Sequence, residues 1–218
     1  MTSTSATSTL VIQFCKWPAA GNVKTRLIPA LGEQGAVDAH LALSTAVLEN
    51  LLVAGFPVEL WWDRAPDDLQ YAESSRLFDL LKQNGVKEQV QCEGNLGQRM
   101  SGALRDGLER AERVIIVGSD CPAVQGEYVR KAAAALEKTD VVLGPAEDGG
   151  YVLIGVRNLE SRMFDGVEWG TDKVLLQTAQ RAEEVGLTVG RLNTLWDVDE
   201  VEDWYRYLDS TGVADSSR

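Results

Sequence analysis

The sequence predicts an α/β domain with a mostly parallel sheet between helical layers. Short apolar runs of four to seven residues alternate with longer segments of helical periodicity. The run Val114-Ile115-Ile116-Val117 lacks polar alternation, as in a strand covered on both faces. No repeat, low-complexity linker or composition break interrupts residues 10–208, which reads as one domain. Residues 1–9, rich in Ser and Thr and without a basic start, read as a disordered tail, and 209–218 as a second one.

Leu10 to Cys15 is a buried first strand, and Trp17-Pro18-Ala19-Ala20-Gly21-Asn22 a loop. Glu33 to Ala54 carries apolar residues at Ala36, Ala39, Leu43, Ala46, Val47 and Leu51. That is a helix with one buried face, ended by Gly55. Val58 to Trp62 is a second strand, Asp68 to Gln83 a helix stopped at Asn84-Gly85, and Val86 to Cys92 a weak strand. A helix follows from about Gly97 to Ala111, then the strand 114–118 and a helix 126–137. Strands 140–144 and 151–156 flank Glu147-Asp148-Gly149-Gly150, which has hairpin-turn chemistry. A helix from Thr171 to Val185, with Thr171 as its cap, a strand 188–192 and a helix from Glu200 to Leu208 complete the chain.

The 218 residues carry 21 basic and 33 acidic side chains, a net charge of −12. Such a surface repels nucleic acid and anionic membranes, and no apolar run approaches the ~20 residues a bilayer needs. The three cysteines lie far apart without a CxxC pair, which suggests a reducing cytoplasm rather than a disulfide framework. A single histidine, His40, excludes His-rich zinc sites. Inside a helix, it reads as a packing or surface residue rather than a base.

In parallel sheets ligands bind beyond the carboxyl ends of strands, and the unusual residues lie there. Residues 1–32 hold Lys16, Lys24 and Arg26 and no acid, a basic island on an acidic chain. Between Lys16 and Leu27, Gly21 and small residues let backbone N–H groups approach phosphate, while the cations supply charge. Neither GxxxxGK[ST] nor GxGxxG is present. Gly118-Ser119-Asp120-Cys121-Pro122 places a carboxylate at the sheet edge, as a metal ligand or a turn cap. Glu147-Asp148-Gly149-Gly150 is either a tight turn or a bare backbone edge for a ligand. Asp197 and Asp199, two apart, face one side of an extended chain and suit a metal. Asp199 with Glu202 also fits a helix cap. Trp169 is the tryptophan best placed to approach a ligand. Cys121 adjoins the site without an evident activating neighbour.

The chain resembles the glycosyltransferase-A-like nucleotide-diphospho-sugar transferase superfamily. Within it, the chain is similar to a small bacterial family labelled as glycosyltransferases and linked by name to arsenosugar biosynthesis. More distantly it is similar to 2-phospholactate and molybdopterin guanylyltransferases. The matching pieces are Lys16-Trp17-Pro18 with Gly21 to Leu27, Asn95 to Met100, Gly118 to Pro122, Gly144 to Tyr151, and Asp197-Val198-Asp199, in the family's order. The resemblance implies a Rossmann-like three-layer α/β/α sandwich that binds a nucleotide in its first half and an acceptor in its second. It implies Mg²⁺ or Mn²⁺ on Asp120 with Asp199 or Asp197, and phosphates along Lys16, Gly21, Lys24, Arg26, Gly97 and Arg99. Asn95 and Gln98 stand where relatives carry acids, and a single Asp replaces the Asp-x-Asp of many glycosyltransferases.

Such a site would use a nucleotide sugar or a nucleoside triphosphate with a small-molecule acceptor. Glycosyl transfer expels a nucleoside diphosphate, and nucleotidyl transfer expels pyrophosphate. Asp120 is the expected charge-bearing catalytic residue, and Glu147 or Asp148 the base for the acceptor. A nucleotide-binding protein without catalysis is the alternative from another class.

Overall fold

The computed structural model describes residues 9–66 and 75–212. Seven strands form one sheet in the order β3-β2-β1-β4-β6-β5-β7. They are β1 (Leu10–Cys15), β2 (Val58–Trp62), β3 (Lys87–Val90), β4 (Val114–Gly118), β5 (Val141–Pro145), β6 (Tyr151–Val156) and β7 (Val189–Arg191). Every pairing is parallel except those of β6, which runs antiparallel to both β4 and β5. The expected mostly parallel α/β sheet is therefore present, and the β5–β6 connection is the expected hairpin.

Among the described residues, α1 (Ile28–Leu52), α2 (Arg76–Asn84), α3 (Leu96–Leu108), α4 (Gly126–Ala135) and α5 (Val174–Glu184) cover the faces, and α6 (Val201–Thr211) packs through Val201 and Trp204 against Leu27, Ala36 and Ala39. Because side chains alternate along a strand, β4 feeds both faces. Val114 and Ile116 pack with Leu10, Ile12, Met100 and Leu104, while Ile115 and Val117 pack with Val11, Val47, Leu51 and Val129. Both clusters are built of apolar side chains, which explains a strand with no polar residue.

The boundaries differ from expectation for local reasons. Proline at the first turn lets α1 begin at Ile28, and Gly32 (φ 72°) breaks it just before the expected start at Glu33. The early part of the helix expected at 68–83 lies outside the described residues, and α2 begins at Arg76. α5 begins at Val174 rather than Thr171, whose hydroxyl instead donates to the Glu168 carbonyl at 2.8 Å. α6 continues over 209–211, inside the expected tail, until Gly212 (φ 67°). Its cap is Glu200 boxed with Asp203, not Asp199 with Glu202. Asp203 Oδ2 accepts from the backbone N–H groups of both Asp199 and Glu200, at 3.2 and 2.9 Å. Among the described residues, no helix is long and apolar enough to cross a membrane.

Asp140 ties one edge of the sheet together. Its Oδ2 accepts from the Thr188 N–H (2.9 Å) and hydroxyl (2.6 Å), and its Oδ1 from Asn158 (2.6 Å) and Arg157 (3.2 Å). The Thr188 bonds above all hold this carboxyl well below the usual carboxylate range. A depressed pKa contributes stability that is complete above the unfolded value, about pH 4, and is lost as pH falls further. Asp140→Ala should cost about 1–3 kcal/mol at pH 7, measured by urea unfolding, with the difference from wild type shrinking below about pH 4.

Candidate active site at the carboxyl edge

β1 has β2 on one side and β4 on the other, so the chain reverses its progress across the sheet at β1. The loops leaving β1 and β4 must diverge there, and a crevice opens beyond Cys15 and Gly118. Ser119 pins the two ends: its hydroxyl donates to the Phe14 carbonyl (2.8 Å) and accepts from Gln13 Nε2 (2.9 Å). The resulting cleft holds about 440 Å³ and is lined by Lys16, Lys24, Arg26, Arg99, Asp120 and Asp199, among others.

Asp63 follows β2 as Lys16 follows β1, and its Oδ1 accepts from the Trp17 N–H at 2.7 Å. His40, buried in α1, holds the same loop from below. A carbonyl only accepts, so Nε2 carries the hydrogen that reaches the Lys16 carbonyl at 2.8 Å. Burial lowers the pKa of this imidazole despite the pull of Asp120, which keeps it neutral at pH 7. Both residues line the cleft. His40 thus packs as expected, yet within the site; the signal for Asp63 was its place directly after a parallel strand.

Lys24 adopts φ 45°, ψ 45°, the one positive φ outside glycine among the described residues. Its side chain turns inward, 6% exposed, and Nζ lies 3.0 Å from Asp120 Oδ1 and 3.6 Å from Asp199 Oδ1. The same Nζ donates to the Val198 carbonyl at 2.6 Å. Burial opposes charge on Asp120, but the adjacent Lys24 ammonium holds this carboxyl below its ordinary range.

The segment Trp196–Asp199 lies over the end of β4. The Val198 N–H donates to the Asp120 carbonyl at 2.9 Å, and the Cys121 thiol donates to the Trp196 carbonyl at 3.1 Å. Burial pushes the Cys15 and Cys121 thiols up to about 12, so neither is a thiolate nucleophile at neutral pH. This docking brings Asp197 and Asp199 to Asp148, with one carboxylate oxygen of each within 4.8 Å of the others. Burial first, then the charges of Asp199 and Asp148, pushes the Asp197 carboxyl up to about 7. Asp148 is held by the turn, its Oδ1 accepting from the Gly150 N–H at 2.8 Å. Gly149 (φ 87°) is obligatory there, since a Cβ would stand 2.2 Å from the Asp172 carbonyl oxygen.

A second cleft of about 220 Å³ opens beside the three carboxylates, walled by Trp169 and Tyr151. It shares Arg26, Leu96 and Asp199 with the first. Trp169 therefore stands where expected. Other residues stand elsewhere. Glu147 pairs with Arg206 at 3.5 Å and lines neither cleft. Gly21 is exposed and lines neither. Gly97 is buried under Trp169 and Phe164, so it serves packing rather than phosphate contact. Arg26 belongs to an acid-free stretch of chain, but the fold supplies acids from afar: Asp199 at 3.3 Å and Glu200 at 3.4 Å. Asn95 and Gln98, departures from the resembled pattern, form the capping box of α3. Asp120 stands with Lys24 rather than in the carboxylate trio.

Residues 49–171 match a family model described as an uncharacterized protein conserved in bacteria, DUF2064. The chain belongs to this family. No curated protein matches it. A crystal structure from Desulfovibrio desulfuricans G20, provisionally assigned as a nucleotide-diphospho-sugar transferase, is 29% identical over 96% of this chain and 89% of its own, with a TM-score of 0.79. A nucleotidyl transferase from Methanothermobacter thermautotrophicus is 16% identical, covers 94% and 97%, and scores 0.61. Rv0371c from Mycobacterium tuberculosis H37Rv, solved in complex with manganese, is 19% identical, covers 94% and 98%, and scores 0.52. The fold is that of the nucleotide-diphospho-sugar transferases and nucleotidyltransferases.

Gly97→Ala tests the Trp169 wall of the second cleft. The new Cβ would lie 2.7 Å from Trp169 Cζ2 and 3.0 Å from Phe164 Cβ, so Trp169 must move. A loss of about 1–3 kcal/mol in unfolding free energy is expected, with a changed Trp169 fluorescence read against a Trp169→Phe control.

Proposed function

We propose that this protein is a divalent-metal-dependent transferase acting on an activated nucleotide, foremost a nucleotide-diphospho-sugar, with a small-molecule acceptor in the second cleft. The observation that carries the proposal is the junction of the two clefts at Asp199, with cations on one side and the carboxylate trio at the seam. The all-oxygen donor set of Asp148, Asp197 and Asp199 fits Mg²⁺ or Mn²⁺, both hard ions. When bound, such an ion would neutralise charge developing on the leaving phosphate.

The chain's own residues do the rest. Lys16 and Arg99 face the first cleft and supply positive charge along a polyphosphate. Arg26 spans both clefts and can exchange its partners Asp199 and Glu200 for phosphate oxygens. His40 and Asp63 fix the loop that presents Lys16. Asp148, on the wall of the second cleft, would bring the ion it helps to hold to the side of a bound acceptor. Trp169 and Tyr151 offer apolar surface on which an acceptor can rest.

Lys16, Arg26 and Arg99 in the first cleft also suit a nucleoside triphosphate, so nucleotidyl transfer is the second reading. Incubation with nucleotide sugars and with nucleoside triphosphates, with Mn²⁺ and candidate acceptors, separates the two. Nucleoside diphosphate release is expected. Release of pyrophosphate instead would establish the second reading, and binding without turnover would refute both.

Arg26→Ala should weaken nucleotide binding on the order of tenfold by calorimetric titration, since it removes one charged hydrogen bond to phosphate.

Metal affinity should follow Asp197. A carboxyl near pH 7 must lose its proton before it can ligate, so Mn²⁺ binding strengthens as pH rises through about 7 and levels off above it. Below pH 7 the dissociation constant should grow by up to about tenfold per pH unit, and Asp197→Asn should flatten the profile.

A further inference from the structure

The Lys24 ammonium sits inside a cage of three oxygens from two distant segments. The oxygens are Asp120 Oδ1 at 3.0 Å, Asp199 Oδ1 at 3.6 Å and the Val198 carbonyl at 2.6 Å. The Val198 carbonyl and Asp120 lie within hydrogen-bond distance of the ammonium, and Asp199 faces it as an ion pair. The side chain is 6% exposed, and a left-handed backbone, unusual for a residue with a Cβ, directs it inward. Two carboxylates and a carbonyl are also the oxygen donors that a hard divalent ion selects.

We propose that Lys24 is a tethered cation that fills a second metal-binding position, between Asp120, Asp199 and Val198, and so confines the protein to one divalent ion, at Asp148, Asp197 and Asp199. The inference rests on the reading of that trio as a metal site. Asp199 faces both positions: Oδ1 is turned to Lys24 and Oδ2 to Arg26 at 3.3 Å. Two divalent ions and Arg26 would place about five positive charges around one carboxylate, and Lys24 in place of one ion lowers that to about four. A single lysine charge satisfies Asp120 and holds the Trp196–Asp199 segment in place without exchanging with solvent. Lys24 is then a positioning residue for Asp199, and Asp120 is the anchor of Lys24 rather than a metal ligand.

The test is Mn²⁺ stoichiometry, read by electron paramagnetic resonance of the free ion. Lys24→Gly empties the cage and suits φ 45°, which glycine adopts freely. Wild type should bind one ion and Lys24→Gly two. The added ion should disappear in Lys24→Gly combined with Asp120→Asn. Binding of one ion by Lys24→Gly, at an affinity within about threefold of wild type, overturns the inference.

Asp120→Asn alone keeps the test decisive should Lys24→Gly fail to fold. With Lys24 in place, it should leave Mn²⁺ affinity within about threefold, whereas a loss beyond about tenfold would make Asp120 a ligand and overturn the inference. If wild type binds no Mn²⁺ and Lys24→Gly binds one that Asp120→Asn removes, the trio is no metal site but the caged position is upheld. No Mn²⁺ on either protein overturns both.

Discussion

The reversal of the chain's course at β1 is the constraint from which the site follows. β1 is hydrogen-bonded on both edges and covered on both faces, so what it offers to a ligand lies at its carboxyl end. Its two neighbours lie in opposite directions across the sheet, and the loops that leave β1 and β4 cannot lie over each other. The crevice between them is geometric necessity. Gln13 and Ser119 keep it from closing or shearing, because they bond the two strand ends through buried side chains. Every polar group of the first cleft is measured from that fixed frame, including the Lys16 loop held by His40 and Asp63.

An acidic protein must still present cations to bind a phosphate, and here the charges are sorted by position rather than by number. Asp199 is the common member: it belongs to the carboxylate trio, it pairs with Lys24 and Arg26, and it lies at the border of both clefts. It is held by backbone bonds on either side, from the Val198 N–H to Asp120 and from its own N–H to Asp203. Those bonds spare its carboxylate from capping α6, so both carboxylate oxygens are free to face cations. The helix start and the site are thus served by different acids, Asp203 and Asp199, separated by one turn of chain.

Much of the fold was legible because the decisive signals are local. An all-apolar run of β-branched residues such as Val114–Val117 reads as a strand covered on both faces, and Asp148-Gly149 between apolar runs reads as a hairpin turn. The site was legible as a set of segments, through the rule that ligands lie beyond parallel strands. What the sequence could not disclose is which segments touch. The acid-free stretch around Arg26 looks like a bare cationic island, yet residues more than 170 positions away neutralise it in part. Gly97, sited next to Arg99, answers to the bulk of Trp169, a contact between α3 and a distant loop. The choice of cap at α6 turned on a single residue of register, since Asp199/Glu202 and Glu200/Asp203 share the same spacing. Local pattern cannot distinguish them; the docking of Val198 on Asp120 does.

The carboxylate trio also shows where the molecule spends stability. Three acids within reach of one another, two of them half-buried, repel in the absence of a cation, and this repulsion adds to the burial that raises the Asp197 carboxyl. The repulsion persists because each acid is fixed by something other than its charge. Asp148 sits in a turn that only glycine at position 149 allows, and Asp197 and Asp199 flank a valine that is fully buried and bonded to the end of β4. Relaxing the trio would mean breaking the hairpin turn or lifting the Trp196–Asp199 segment from the sheet. The sheet edge therefore preorganises an anionic seam that a cation can stabilise without rearranging the fold. The same argument accounts for the strained backbone at Lys24: on the other side of Asp199, one buried ammonium offsets the charge that the fold has no room to disperse.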